Sequence, residues 1–209
     1  VVVLDEDSCK SHLKKIDAQN FVVSSLNEKQ TKQYPSPPFI TSTLQREGIR
    51  KLKMSAQQVM SIAQKLYEAG HITYMRTDSV RISNDALTTI RNIVEKDYKK
   101  ENLSEKTIYY KGSVKNAQEA HEAIRPSGQF SNPKALSKEL DSKSLALYKL
   151  IWNRTIASQM KPAIINQVKA VINAGNEYVF ESNGRTIHFA GYLTAYDYEK
   201  AGPSDSILP

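Results

Sequence analysis

The chain has 209 residues, 40% of them hydrophobic and 24% charged, which is typical of a folded domain and excludes a disordered low-complexity segment. No stretch approaches the roughly 20 consecutive apolar residues of a membrane-spanning helix, so we expect a cytoplasmic protein with no membrane contact. The single cysteine, Cys9, excludes an intrachain disulfide and a multi-cysteine zinc site, and it is expected to be a small buried packing residue. The net charge of +7 is compatible with a polyanionic partner such as DNA but does not require one.

The first part of the chain predicts a small β-rich opening. Val1 to Leu4 is a β-branched run, Ser8 is a candidate cap for a short helix, and Phe21 to Val23 predicts a second strand. The prolines between Tyr34 and Pro38 then remove backbone donors and force extended conformations, so regular structure is expected to end there. A domain boundary is therefore predicted at residue 34.

Residues 35–160 carry the sequence signals of several helices in series. Apolar residues recur at helical spacing after each of the candidate N-caps, which favours adjacent packed helices. The candidate caps are Thr41 or Ser42, Ser55, Ser83 and Asp141. Ile72 to Thr77 interrupts the series and predicts an extended segment.

After Pro162 the hydrophobic period changes to two, the period of strands. Strands are predicted at Ile165 to Ile172, Tyr178 to Phe180 and Thr186 to Phe189, and the dipeptide Asn183–Gly184 is a strong hairpin signal between the last two. The order of these elements predicts an α+β fold.

We expect a mainly helical domain of residues 35–160 to be inserted into a β-rich domain. The two parts of that β-rich domain, residues 1–34 and 161–209, are expected to pair across the insertion.

The segment Ile72 to Ser79 is the most informative for chemistry. If it is extended, its alternate side chains Tyr74, Arg76 and Asp78 share one face. A phenol with a pKa of about 10 is a weak nucleophile at neutral pH, and a neighbouring guanidinium would stabilise both the phenolate and a phosphate under attack. The trio suits phosphoryl transfer to tyrosine; the alternative is a half-buried aromatic beside a surface ion pair.

A second cluster, Gln118 to Pro126, places an imidazole and a guanidinium near two carboxylates, just before a proline. Its histidine, His121, is suited to contact a phosphate or to relay a proton. The alternative is a solvated helix end with a hydrogen-bonded histidine.

Three segments together resemble successive motifs of type IA DNA topoisomerases, in the order and at the separation found in that family. They are Pro37 to Gln45, Tyr67 to Ser79 and Ala117 to Pro126. The form His-Glu-Ala-Ile-Arg-Pro at His121 to Pro126 is more similar to bacterial topoisomerase I than to topoisomerase III.

The resemblance implies roles for particular residues. Tyr74 would attack a phosphodiester of single-stranded DNA to give a 5′-phosphotyrosine, Arg76 would hold the scissile phosphate, and His121 would assist positioning or proton movement. The residues implied to contact DNA are Arg76, Asp78, Arg125, Thr41, Ser42 and Gln45.

The resemblance also implies an architecture and a set of partners. Residues 1–34 and 161–209 would form the β-rich arch of a toroid, and the helical tyrosine domain would swing open to pass a second strand. In the family, Mg²⁺ is bound by a separate metal-binding domain that has no counterpart in these residues. We therefore expect a fragment that binds no metal and is inactive alone, and that acts as a monomer, with the rest of its polypeptide, on single-stranded and negatively supercoiled DNA in the nucleoid.

Other function classes stay open at this stage. A non-catalytic helical DNA-binding module would grip phosphates through cations on the predicted helices, namely Arg46, Arg50, Lys51, Lys53 and Lys65. A tyrosine or serine recombinase would need a different set of catalytic basic residues, and a scaffold protein would lack DNA affinity. The change Tyr74→Phe discriminates, because it would leave the function of a binding module intact and abolish covalent adducts of a topoisomerase.

Overall fold

The structure, a computed structural model, describes residues 3–110 and 121–196. Contacts divide the chain into two compact units. The β unit contains residues 3–33 and 164–189, and the helical unit contains the described residues of 34–163 and 190–196.

The helical unit is built from four α-helices. They are α2 (Thr41–Leu52), α3 (Ala56–Glu68), α4 (Asn84–Asp97) and α5 (Ser142–Ala157), while α1 (Glu6–Asp17) lies in the β unit. The predicted caps of α3 and α5 are confirmed, since the side chains of Ser55 and Asp141 accept hydrogen bonds from N–H groups of the first turn. Ser83 holds the predicted N-cap position of α4, but its side chain makes no capping hydrogen bond. The predicted cap of α2 at Thr41 or Ser42 is wrong, since the N-cap position is Ile40, whose side chain makes no capping hydrogen bond. Thr41 is the first residue of the helix, and its hydroxyl bonds to the Met75 carbonyl. No helix among the described residues is both long and apolar enough to cross a bilayer.

Helix α5 supplies the centre of the helical core. Its side chains Leu147, Ile151, Trp152 and Ile156 are almost completely buried, and it packs against α2, α3 and α4. The indole N–H of Trp152 donates to the hydroxyl of Tyr98 at 3.2 Å, so the polar atom of this large side chain is satisfied inside the core. The helices are thus held by one continuous apolar interior.

Three short 3₁₀ helices complete the helical unit: Lys100–Asn102, Ala135–Lys138 and Gly191–Tyr196. The last packs on α5 and buries Tyr192 and Ala195, and the N–H of Tyr192 donates to the carbonyl of Lys161. Residues 190–196 therefore belong to the helical unit, although they fall in the range predicted for the arch. Their apolar side chains find their partners on α5, not on the sheet.

The β unit contains a three-stranded sheet, β1 (Phe21–Gln33), β2 (Ala163–Ala174) and β3 (Tyr178–Phe189), in the order β1-β2-β3. Strands β2 and β3 are antiparallel. Ser24 contacts the carbonyl of Val171 and Thr31 that of Ile165, so β1 also runs antiparallel to β2. Strand β1, from before the helical residues, therefore lies next to β2, from after them.

The predicted hairpin at Asn183–Gly184 is wrong. Both residues lie inside β3, paired with Lys169 and Val168. The chain reverses only at Gly175, where φ is +63°, within the break between Ile172 and Tyr178 that the predicted strands left. Strand β2 is long enough to pair with all of β3, so the ladder keeps the Asn-Gly dipeptide extended.

The opening of the chain also differs from the prediction. Helix α1 is capped by Asp5, whose carboxylate accepts from the N–H of Ser8, so Ser8 is not the cap. Cys9 is exposed and not buried, because α1 buries no residue. Val3 and Leu4 form no strand, and Val1 lies outside the described residues.

Candidate active site around Tyr74

Tyr74 lies between α3 and α4, in a segment that is irregular and not the regular strand predicted from the sequence. The alternation of exposure nevertheless holds from Tyr74 onward. Tyr74, Arg76 and Asp78 are exposed, whereas Met75 and Thr77, which stand between them, are buried. The segment is therefore anchored through every second side chain and presents a phenol, a guanidinium and a carboxylate to solvent.

The three motif-bearing segments meet in the helical unit. Phe39 forms an antiparallel bridge with Ile124, whose N–H donates to the Phe39 carbonyl at 2.8 Å, and Ile72 forms one with Pro126. Residues 121–126 thus bond to the first segment on one side and to the tyrosine segment on the other. The guanidinium of Arg154 on α5 lies 4.4 Å from the centre of the Phe39 ring and holds this junction against the core.

Thr41 joins the start of α2 to the tyrosine segment. Its hydroxyl lies 2.8 Å from the carbonyl of Met75 and 3.1 Å from that of Thr77, and it accepts from the N–H of Thr77 at 2.9 Å. The N–H of Thr41 also donates to the Thr77 carbonyl at 3.0 Å. This side chain, predicted to contact DNA, is therefore engaged in fixing the backbone on either side of Arg76.

Thr73 fixes the other flank of Tyr74. Its hydroxyl donates to the carbonyl of Ala123 at 2.7 Å and accepts from the N–H of Arg125 at 3.0 Å, while its own N–H donates to the Arg125 carbonyl. The hydroxyls of Thr73 and Thr41 thus tie the backbone on the two sides of Tyr74 to neighbouring segments. These hydrogen bonds limit the motion of the Tyr74 Cα.

Arg125 is mostly enclosed, with 12% of its side chain exposed. Its guanidinium donates to the carboxylate of Glu122 and to the carbonyl of Pro126, and it lies 5.5 Å from the centre of the Phe130 ring. The other oxygen of Glu122 accepts from the N–H of Ser83, the N-cap of α4. This arrangement makes Arg125 a brace between the 121–126 segment and α4.

The protonation of Glu122 follows from these contacts. Burial raises the pKa of this carboxyl, but the hydrogen bonds from Arg125 and Ser83 outweigh burial and hold the pKa below its ordinary value. Glu122 is therefore a carboxylate at neutral pH, which keeps the ion pair with Arg125 intact.

The remaining predicted residues are accessible to solvent. His121 is exposed at the start of a segment that is irregular and not the helix end considered from sequence, and Gln118 to Ala120 lie outside the described residues. On the first turn of α2, Ser42 is exposed and Gln45 is half-buried. All three side chains therefore have surface that solvent can reach.

Tyr67 contacts Tyr74, and this contact was not predicted from the sequence. The ring of Tyr67, in the last turn of α3, lies edge to face with that of Tyr74, with 5.2 Å between the ring centres. The two residues are seven apart, but the helix ends between them, so no periodicity connects them. The sequence signal for the contact was the presence of a tyrosine on each side of Gly70, the glycine that follows the end of α3.

The resemblance implies that Mg²⁺ is bound by a separate domain of the family and not by these residues. In residues 3–110 and 121–196, no three or more His, Cys, Asp or Glu residues come together in a group that could hold a metal ion. The described residues therefore do not fit a Mg²⁺ site.

A family model described as DNA topoisomerase matches residues 2–209. The chain belongs to the DNA topoisomerase family. It is 46% identical over 203 residues to DNA topoisomerase 1 of Rickettsia felis, covering 93% of this chain and 26% of that relative. It is 45% identical to DNA topoisomerase 1 of Mycobacterium tuberculosis, covering 94% of this chain and 22% of the relative.

A solved structure agrees with these matches. Full-length topoisomerase I from Thermotoga maritima aligns with a TM-score of 0.77 and 34% identity, over 92% of this chain and 32% of that one. The resemblance to bacterial topoisomerase I and the α+β fold class are thus confirmed. The chain spans about a quarter of the length of the curated relatives that it matches.

Proposed function

We propose that this chain is the strand-cleaving part of a type IA topoisomerase, with Tyr74 as the nucleophile. The observation that carries the proposal is the convergence of three motif-bearing segments on an anchored loop that exposes Tyr74 and Arg76. An exposed phenol two residues from an exposed guanidinium, on a backbone held by hydrogen bonds, suits phosphoryl transfer to tyrosine.

In the proposed reaction the Tyr74 oxygen attacks a backbone phosphorus of single-stranded DNA. A phosphorus–oxygen bond to the tyrosine forms as the bond to the 3′ oxygen of the neighbouring nucleotide breaks, so the 5′ phosphate stays on Tyr74 and a 3′ hydroxyl is released. The phenol loses one proton and the leaving oxygen gains one. The reverse reaction reseals the strand after another strand has passed, and because the ester stores the bond energy, no ATP is consumed.

Arg76 is proposed to bind the scissile phosphate, and His121 to position the DNA or move the proton, since both side chains are exposed. Asp78, Ser42 and Gln45 are proposed as DNA contacts. Thr41 and Arg125 are proposed to support the site from within, because their polar atoms bond to the protein.

Mg²⁺, the rest of the polypeptide, single-stranded DNA and negatively supercoiled duplex are proposed partners of the complete protein, which we expect to act as a monomer in the nucleoid. Residues 1–34 and the sheet strands after residue 161 are proposed to belong to the arch. The 209-residue chain without the rest of the polypeptide is expected to be inactive.

The alternative function is that of a non-catalytic DNA-binding module. It relied on cations of the predicted helices, but Arg50 and Lys51 are bonded to the buried carboxylate of Glu47, at 2.9 and 3.3 Å. The hydrogen bond from Arg50 lowers the pKa of Glu47, so this carboxylate stays charged and competes with phosphate for both cations.

The test uses the complete polypeptide with labelled single-stranded DNA and Mg²⁺, stopped with denaturant. A denaturant-resistant adduct is expected from the wild type and from Tyr109→Phe, a matched change at an exposed tyrosine of the helical unit. The adduct is expected to vanish in Tyr74→Phe while DNA binding persists. An adduct in Tyr74→Phe, or none in the wild type despite DNA binding, would refute the assignment and favour the binding module.

A further inference from the structure

Tyr67 and Tyr74 form an exposed aromatic pair. Their ring centres are 5.2 Å apart and their planes meet at 64°, within the range of favourable edge-to-face contacts. Tyr67 is 40% exposed and Tyr74 is 43% exposed, so neither ring is enclosed by the core. The contact is therefore a direct restraint on the orientation of the Tyr74 ring.

The two rings stand on backbones of different rigidity. Tyr67 belongs to α3, which is anchored by Val59, Ala63 and Leu66 in the core, and the Tyr67 carbonyl accepts from the N–H of Gly70. Tyr74 stands on an irregular segment. The hydroxyls of Thr73 and Thr41 fix the backbone of that segment. The main remaining freedom of Tyr74 is therefore rotation about its two side-chain torsions.

Attack on phosphorus requires the phenol oxygen opposite the leaving oxygen, so the fraction of time that Tyr74 spends in the productive orientation sets the rate of cleavage. We propose that Tyr67 is a positioning residue for this reaction: its ring, held by α3, keeps the Tyr74 side chain in the orientation that cleaves. This inference rests on the proposed function of Tyr74.

Positioning makes a different prediction from DNA binding. An exposed tyrosine is also a stacking platform for a nucleic-acid base, and removal of such a platform weakens binding. A positioning ring acts after the DNA is bound, so its loss lowers the rate constant of adduct formation at saturating DNA and leaves the Kd unchanged. The hydroxyl of Tyr67 is not required for an edge-to-face contact, so Phe is expected to substitute for it.

The experiment measures single-turnover adduct formation and the Kd for single-stranded DNA with the complete polypeptide. For Tyr67→Ala and Tyr67→Leu the saturating rate is expected to fall about two- to tenfold, the value of one aromatic pair, with an unchanged Kd. Tyr67→Phe is expected to restore the wild-type rate, and Tyr109→Ala, which removes another exposed ring of the helical unit, is expected to leave it unchanged. Thermal unfolding followed by far-ultraviolet circular dichroism checks that each variant remains folded.

Three outcomes would overturn the inference: an unchanged rate in Tyr67→Ala, a weakened Kd with an unchanged saturating rate, or failure of Tyr67→Phe to restore the rate. The failure of the proposed function is distinguishable from these. In that case the wild type itself gives no adduct on Tyr74, whereas failure of the Tyr67 inference alone leaves the wild-type adduct in place.

Discussion

The two units differ in how much apolar surface each one buries. In the helical unit, side chains from α2 to α5 and from the 3₁₀ helix Gly191–Tyr196 share one core. In the described part of the β unit, α1 buries no residue and β1 presents exposed apolar side chains such as Phe21 and Leu26. Burial of apolar surface is the main stabilising contribution to folding, so the helical unit holds most of the stability of the chain.

The candidate site lies in the better-packed unit. Met75 and Ile124 are buried next to the groups that face solvent, so the core itself fixes the backbone of the site. The β unit is ordered mainly by the hydrogen bonds of its sheet. A site that must place a phenol oxygen accurately benefits from a dense core beneath it, because packed side chains move little.

The difference in packing between the two units is tested most strongly by the same leucine-to-alanine substitution in each unit. Leu147 on α5 is fully buried, whereas Leu26 on β1 is 56% exposed. Leu147→Ala should lower the free energy of unfolding by about 2–5 kcal/mol, because it removes buried methyl groups and leaves a cavity. Leu26→Ala should lower it by less than about 1 kcal/mol.

Urea unfolding followed by tryptophan fluorescence measures the first effect cleanly, since Trp152, the single tryptophan, lies in the helical core. Hydrogen exchange of the strands reports the second. Equal losses for the two leucines would contradict the contrast between the units.

Two ion pairs, one in each unit, are expected to differ in their contribution to the free energy of unfolding. Glu122 pairs with the enclosed Arg125 beside the site, whereas Glu181 on β3 pairs with Lys169 at 2.7 Å with both side chains about half exposed. Glu122→Gln should cost about 1–3 kcal/mol at pH 7, because a buried guanidinium loses its charged partner. Glu181→Gln should cost at most about 1 kcal/mol, as is usual for surface pairs.

The Glu122 pair should also respond to pH. Its folded pKa lies below the ordinary value of 4.5, so its contribution is complete above pH 4.5 and is lost as the pH falls through the folded value. Unfolding curves from pH 7 to pH 3 should therefore converge for wild type and Glu122→Gln at the acid end. Curves that stay equally far apart at every pH would show that the charge of Glu122 is not responsible.

A smaller effect is expected from Thr41→Val, which keeps the shape of the side chain and removes the hydroxyl that bonds to Met75 and Thr77. We expect a loss of about 1–2 kcal/mol from unpaired backbone groups, together with faster hydrogen exchange in residues 75–79. Thr41→Ser should restore both values. Unchanged exchange in Thr41→Val would mean that the hydroxyl does not hold this segment.

Local signals in the sequence were sufficient for much of the helical unit. Ser55 and Asp141 accept hydrogen bonds from N–H groups two or three positions away, and such interactions are visible in a linear chain. The β unit was less predictable, because the state of Asn183–Gly184 depends on its partner strand β2, which is remote from the turn chemistry of the dipeptide.

The candidate site shows the same division. The exposure of Tyr74, Arg76 and Asp78 follows from simple alternation along the chain. The engagement of Thr41 arises only when separate segments come together, so no local pattern predicts it. The Tyr67–Tyr74 contact lies within one short segment, but the end of α3 between the two residues breaks the helical period that would have connected them.

The central claim is that Tyr74 is the residue that the helical unit presents for covalent attachment to DNA. The most direct measurement traps the complex of the complete polypeptide with single-stranded DNA, digests both, and locates the nucleotide-bearing peptide by mass spectrometry. The account predicts that the modified residue is Tyr74. A nucleotide on another residue, such as the adjacent Tyr67, would contradict it.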